Sequence, residues 1–117
     1  MLTPLEFAKL EDDTRWTDLQ RDDSWEKKIR NQTISWHGFL VGVWQNSERL
    51  LVIVQVRLDV KILYLNFTVP LAERERYLTF PPLAEVEVSG RFTESRHQKV
   101  PKVEGYELVD GRITYST

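Results

Sequence analysis

The stretch Ile34–Trp44, ISWHGFLVGVW, constrains this chain more than any other. It alternates with a period of two, the spacing of a β-strand. Ile34, Trp36, Gly38, Leu40, Gly42 and Trp44 form one set, and Ser35, His37, Phe39, Val41 and Val43 form the other. Both sets turn apolar after Gly38, so neither side of the strand stays in water throughout. Glycine weakens a straight strand but lets a coiling sheet bend or bulge. A strand that begins half-exposed and then serves two faces of a core is what a small barrel needs. Gly38 and Gly42 are therefore predicted to mark where this first strand curves.

The residues before it read as helical. Thr3, Pro4 and Glu6 match a capping box with proline at the first helical position. A second start at Thr17, with Gln20 three residues on, predicts a helix to about Arg30, ended by Asn31. Leu19, Trp25 and Ile29 would share its buried face. Asp18, Asp22 and Asp23 near its start and Lys27, Lys28 and Arg30 near its end suit the helix dipole.

After the polar turn Gln45–Glu48, alternation resumes over Leu50–Leu58 and again over Leu63–Val69. Tyr64, Asn66 and Thr68 are read as outward. Pro70–Phe80 breaks the pattern as a short helix, and Ala84–Phe92 reads as a fourth strand with Val86 and Val88 inward. Thr93–Lys102 is predicted as a long, polar, basic loop. Val103–Val109 forms a fifth strand, followed by a turn at Asp110-Gly111 and a last extended piece, Arg112–Tyr115. Val52, Val54, Leu63, Leu65, Phe67, Val86 and Val88 are the predicted interior.

At 117 residues, the chain makes one compact domain. An apolar share of 41% is enough for a real core. The net charge of −2 supplies no global attraction to nucleic acid or anionic lipid, so such binding needs a local basic patch. With no cysteine, there is no disulfide framework, thiol catalysis or Cys-ligated zinc. Neither a signal peptide nor an 18-residue apolar span is present, which predicts a soluble, cytoplasmic protein.

The order of elements is a helical preface, a curved Trp/Gly strand, two strands, a short helix and two final strands. This is the layout of an OB-fold, a five-stranded Greek-key barrel. ISWHGFLVGVW, AEVEVSGRF and VEGYELVDGRI resemble its first, fourth and fifth strands, as in the tRNA-anticodon-binding-like group of small OB-fold domains. The likeness covers about Thr33 to Tyr115. Residues 1–32 are then a helical extension packed on a barrel of residues 33–117. An SH3-like barrel is the rival all-β reading; the helix before strand four and the long loop before strand five count against it.

Catalytic chemistry is hard to find in these residues. His37 and His97 have no metal-ligand spacing around them, and no phosphate loop or nucleophile elbow occurs. Glu85 and Glu87 share one face of strand four as solvated outward residues. The chain is expected to be a non-enzymatic binding module without metal or cofactor.

The resemblance implies a ligand face on strands two and three, with the loops after strands one and four. On this chain it maps to Arg49, Gln55, Arg57, Lys61, Tyr64 and Asn66, joined by Arg91, Arg96, His97, Lys99 and Lys102. Arg91–Lys102 carries four basic residues and one acid, a local charge of +3. Single-stranded nucleic acid is the first expectation for a ligand, since it takes a basic groove plus aromatics for stacking. Tyr64 and then Trp44 are the candidate stacking residues. A protein partner is the alternative, favoured by aliphatic Leu51 and Ile53 on the same face.

Overall fold

The computed structural model describes residues 2–11, 19, 20, 23, 25–58, 62–92, 98–100 and 103–115. It is a mainly β, closed, OB-like barrel. The strands are β1 (Thr33–Asn46), β2 (Arg49–Arg57), β3 (Ile62–Pro70), β4 (Glu85–Phe92), β5 (Gln98–Val100) and β6 (Val103–Tyr115). A helix, Pro4–Glu11, precedes them, and a short helix, Arg74–Leu78, follows a 3-10 turn between β3 and β4. The sheet order is β3-β2-β1-β4-β6-β5. A parallel β3–β6 pairing at Leu65↔Tyr106 and Asn66↔Glu107 closes β1, β2, β3, β4 and β6 into a five-stranded barrel.

The first strand does what its glycines imply. Thr33–Phe39 pairs with β4 and Phe39–Asn46 pairs with β2, so β1 changes partner at Phe39. Its ladder with β2 slips between Leu40 and Gly42, where two steps on β1 oppose one on β2. Val41 is the extra residue of a β-bulge, and a bulge reverses the inside–outside alternation. Ile34, Trp36 and Leu40 are buried in the core, whereas Trp44, from the same alternate set, stands 40% exposed. Val43 packs against the core instead. At Gly38 the backbones come close: a Cβ there would lie 2.7 Å from the Gln55 carbonyl oxygen and 2.8 Å from Val54 Cγ1.

All seven predicted interior residues are buried in one cluster. The cluster continues beyond the barrel into the N-terminal segment. Phe7 is fully buried and stacks on Phe92 at 5.0 Å, meets Tyr106 edge-on at 4.7 Å, and touches Trp25 and Trp36. Thr3 caps this helix as expected, its Oγ1 accepting the Glu6 N–H at 3.2 Å. Trp36 Nε1 donates to the Leu2 carbonyl at 2.9 Å, tying the segment to β1. Tyr77, from the short helix, enters the core cluster as well. Burial pushes its phenol pKa up, and the negative charge of Glu73 adds to the shift.

Three expectations need correction. The predicted α-helix ends in a π-helical turn, Trp25–Ile29, with the Arg30 N–H bonded to the Trp25 carbonyl. This wider turn buries Trp25 and Ile29 together, while Leu19 is 79% exposed. Asn31 does stop it, in the left-handed conformation at φ 64°; the Thr17 cap lies outside the described residues. Secondly, the predicted basic loop contains β5, which pairs antiparallel with the start of β6. Thirdly, Asp110-Gly111 does not turn the chain. β6 runs straight through it, and the extra residue becomes a bulge opposite β4, between Ser89↔Arg112 and Arg91↔Val109. Asp110 supplies the left-handed conformation, φ 55°, that a reversing turn would also have used.

Two substitutions test this architecture. Gly38→Ala forces a methyl against backbone and should cost about 1–3 kcal/mol in urea unfolding; an unchanged midpoint would contradict the close approach. Phe7→Ala should cost about 3–5 kcal/mol. A loss below 1 kcal/mol would mean that the N-terminal segment does not share the barrel core.

Candidate functional site

The bulge in β1 sets a small grid of side chains on the outer face of β1, β2 and β3. Cross-strand register places Phe39, Gln55 and Tyr64 in one row. Gly42, Ile53 and Asn66 form the next, and Trp44, Leu51 and Thr68 the third. Aromatic residues therefore hold three corners, around Ile53. Neighbouring strands lie about 4.8 Å apart, so Phe39 and Tyr64 stand roughly 10 Å from one another across Gln55. Trp44 lies along Gly42: a Cβ at Gly42 would sit 2.6 Å from Cη2 of that ring. The second glycine thus makes room for a flat indole on the surface.

Arg57, one row further along, folds back over the grid. Its guanidinium carbon is 4.2 Å from the centre of the Phe39 ring, and its Nε donates to Gln55 Oε1 at 3.2 Å. The cation lies over an aromatic face, which is worth about 0.5–1 kcal/mol at an exposed site. His37, also exposed, meets the edge of Phe39 at 5.6 Å.

Of the sequence-predicted residues, Gln55, Arg57 and Tyr64 come together here. Arg49 does not. It begins β2, about 26 Å from Arg57 along the strand, and its guanidinium is bonded to Thr68. Arg91 lies on β4, beyond β1 from this face, and its Nη2 is 3.8 Å from the Asp110 carboxylate. Lys99 sits in β5, in register with Glu104. Lys61, Arg96, His97 and Lys102 lie outside the described residues.

Asn66 is a correction. Alternation predicts it as an outward ligand contact, yet it is only 4% exposed, and its Nδ2 has no hydrogen-bond partner among the described residues. Ile53, read as an exposed aliphatic, is 2% exposed. Both occupy the middle row, between the Phe39 row and the Trp44 row. Strand alternation gives the side a residue faces; it does not give the cover it receives there. Phe39 is the member of this grid that sequence reading missed. Its signal was its parity, out of phase with Trp36 and Leu40.

Elsewhere, Glu87 accepts the Ser35 hydroxyl at 2.8 Å, and Glu85 is exposed. Among the described residues no group of three His, Cys, Asp or Glu could hold a metal, and no helix is long and apolar enough to cross a membrane.

The orphaned amide makes a prediction of its own. A buried donor without a partner costs about 1–3 kcal/mol. Asn66→Leu, similar in size and without the amide, should raise the urea midpoint by a gain in this range. A net loss of stability would show that the amide is bonded in solution.

No family model matches this chain, and no curated protein matches its sequence. Among solved structures it is similar to a protein described as an aspartyl-tRNA synthetase from Leishmania major Friedlin, with 6% identity and a TM-score of 0.49. The similarity covers 82% of this chain and 20% of that one, so the chain spans about a fifth of that protein's length.

Proposed function

We propose that this chain is a non-catalytic binding module that takes single-stranded nucleic acid on the outer face of β1, β2 and β3. One observation carries the reading: Phe39, Tyr64 and Trp44 hold three corners of a strand grid, and the Arg57 guanidinium lies over the Phe39 ring. Every base has a π face, so a platform of spaced aromatics accepts successive bases with little regard to sequence. Gln55 carries a side-chain amide between the two rings of one row and can meet a base edge. Arg57 both stacks and supplies charge for a phosphate. The basic segment Arg91–Lys102 extends the same expectation, with Arg96, Lys99 and Lys102 as its phosphate contacts.

The charge balance decides what kind of binding to expect. At a net charge of −2, long-range attraction is missing. Salt dependence then comes from the local phosphate contacts, about 0.7 in log–log slope for each, and stacking supplies the rest of the affinity.

A protein partner is the second reading. Leu78 and Leu83 stand 60% and 53% exposed on the connection into β4, and Leu83 is held at a left-handed φ of 56°. Exposed apolar groups of this kind mark protein contacts.

Titration of a fluorescent single strand at several salt concentrations tests the first reading. Phe39→Ala and Tyr64→Ala should each weaken binding by about 1–3 kcal/mol. Arg57→Gln should lower the log–log salt slope by about 0.7. No binding by the wild-type protein at low salt would end the nucleic-acid reading and leave the surface to a protein partner.

A further inference from the structure

The barrel closes through a very short seam. β3 and β6 pair in parallel only at Leu65↔Tyr106 and Asn66↔Glu107. Beyond those residues the ladder ends, although Phe67 still packs on Gly111, and a cleft of about 510 Å³ lies between Thr68–Pro70 on one wall and Glu107–Arg112 on the other. Over Phe67–Pro70, β3 has β2 on one side and no strand on the other, among the described residues. Over Leu108–Arg112, β6 has β4 on one side and likewise no strand on the other. Side chains meet part of these open edges. Arg49 donates to the Thr68 carbonyl at 3.4 Å, and Arg76 donates to the Ile113 carbonyl at 2.5 Å.

The lining is charged in both signs. Arg49, Arg76 and Arg112 face the cleft together with Glu73, Glu107 and Asp110. Of these, only Asp110 forms an ion pair among the described residues, with Arg91 outside the cleft. The volume falls within the range of small-molecule sites, but those are lined mostly by apolar groups. A purely anionic ligand would meet three carboxylates, and a purely cationic one three guanidinium groups. Neither gains net Coulombic attraction from a balanced wall.

We infer that this cleft is a peptide-binding site: it takes an extended polypeptide segment that bears both an acidic and a basic side chain, inserted as a strand beside the open edges of β3 and β6. Main-chain N–H and C=O groups on the walls supply ladder hydrogen bonds, as in other cases of strand addition. The Arg112 and Arg76 guanidinium groups meet the ligand's carboxylate, and Glu107 meets its ammonium or guanidinium group. The site adjoins the aromatic grid at Thr68, which ends one row of the grid and lines the cleft, but it uses none of the three rings.

The test is selection of a phage-displayed library of random octapeptides on the full chain, with Glu107→Lys/Arg112→Glu as the counter-target. Enriched peptides should carry both charge signs and bind the double variant at least tenfold more weakly. Arg112→Glu alone, at an exposed position, should weaken them at least threefold and guards against a folding defect in the double variant. Amide resonances of Thr68, Val69 and Leu108–Arg112 should shift when the best synthetic peptide is added. The inference is overturned by an absence of enrichment, by peptides of a single charge sign, by equal binding to Arg112→Glu, or by shifts confined to the Phe39–Tyr64 face.

Discussion

The single extra residue at Val41 governs the molecule. Strand side chains alternate with a period of two, so one added residue sends everything after it to the other side. Before the bulge, Trp36 and Leu40 fill the barrel; after it, Val43 takes the inward position and Trp44 goes out. β1 leaves β4 at Phe39 and continues along β2, two residues before this irregularity. The inward Val43 and the outward Trp44, one corner of the aromatic face, follow from the bulge position. Gly38 permits the close crossing, and Gly42 permits the indole to lie on the surface.

Closure places a second demand on the chain. Only two residue pairs join β3 to β6, so the seam depends on packing more than on its ladder. Phe67 meets Gly111 there, at a position where a Cβ would run into its ring. At Phe92 and Tyr106, the N-terminal segment completes the core with Phe7 and Trp25. Aromatic pairs of this kind add about 0.5–1.5 kcal/mol each beyond the area they bury. The preface is therefore part of the hydrophobic cluster, and its residues serve the barrel's stability.

Two surfaces result from this construction, and they differ in chemistry. The outer face of β1–β3 offers flat rings and one stacked cation. The parted seam offers open strand edges between charges of both signs. A barrel that closed along the whole of β3 would have no such cleft, and a β1 without its bulge would bury Trp44.

Much was legible in the sequence because it depends on local periodicity. Alternation and turn chemistry placed β1 to β4, the short helix and all seven named interior residues, and the pair of glycines marked the curved strand. Thr3 and Asn31 marked helix ends through their own backbone preferences. The candidate site was legible in part: Gln55, Arg57 and Tyr64 belong together, while Arg49 and Arg91 do not. That separation follows from where strands sit around a closed sheet, and no spacing along the chain encodes it. Asp110-Gly111 carried the composition of a turn, yet pairing with β4 held the strand straight and absorbed the extra residue as a bulge. Asn66 and Ile53 alternate outward but are covered there, because burial is set by neighbours on other strands. The sequence by itself determined which residues form strands and which side each prefers. Only the tertiary structure decided which sides are covered and which charges meet, because both depend on contacts between residues far apart in the chain.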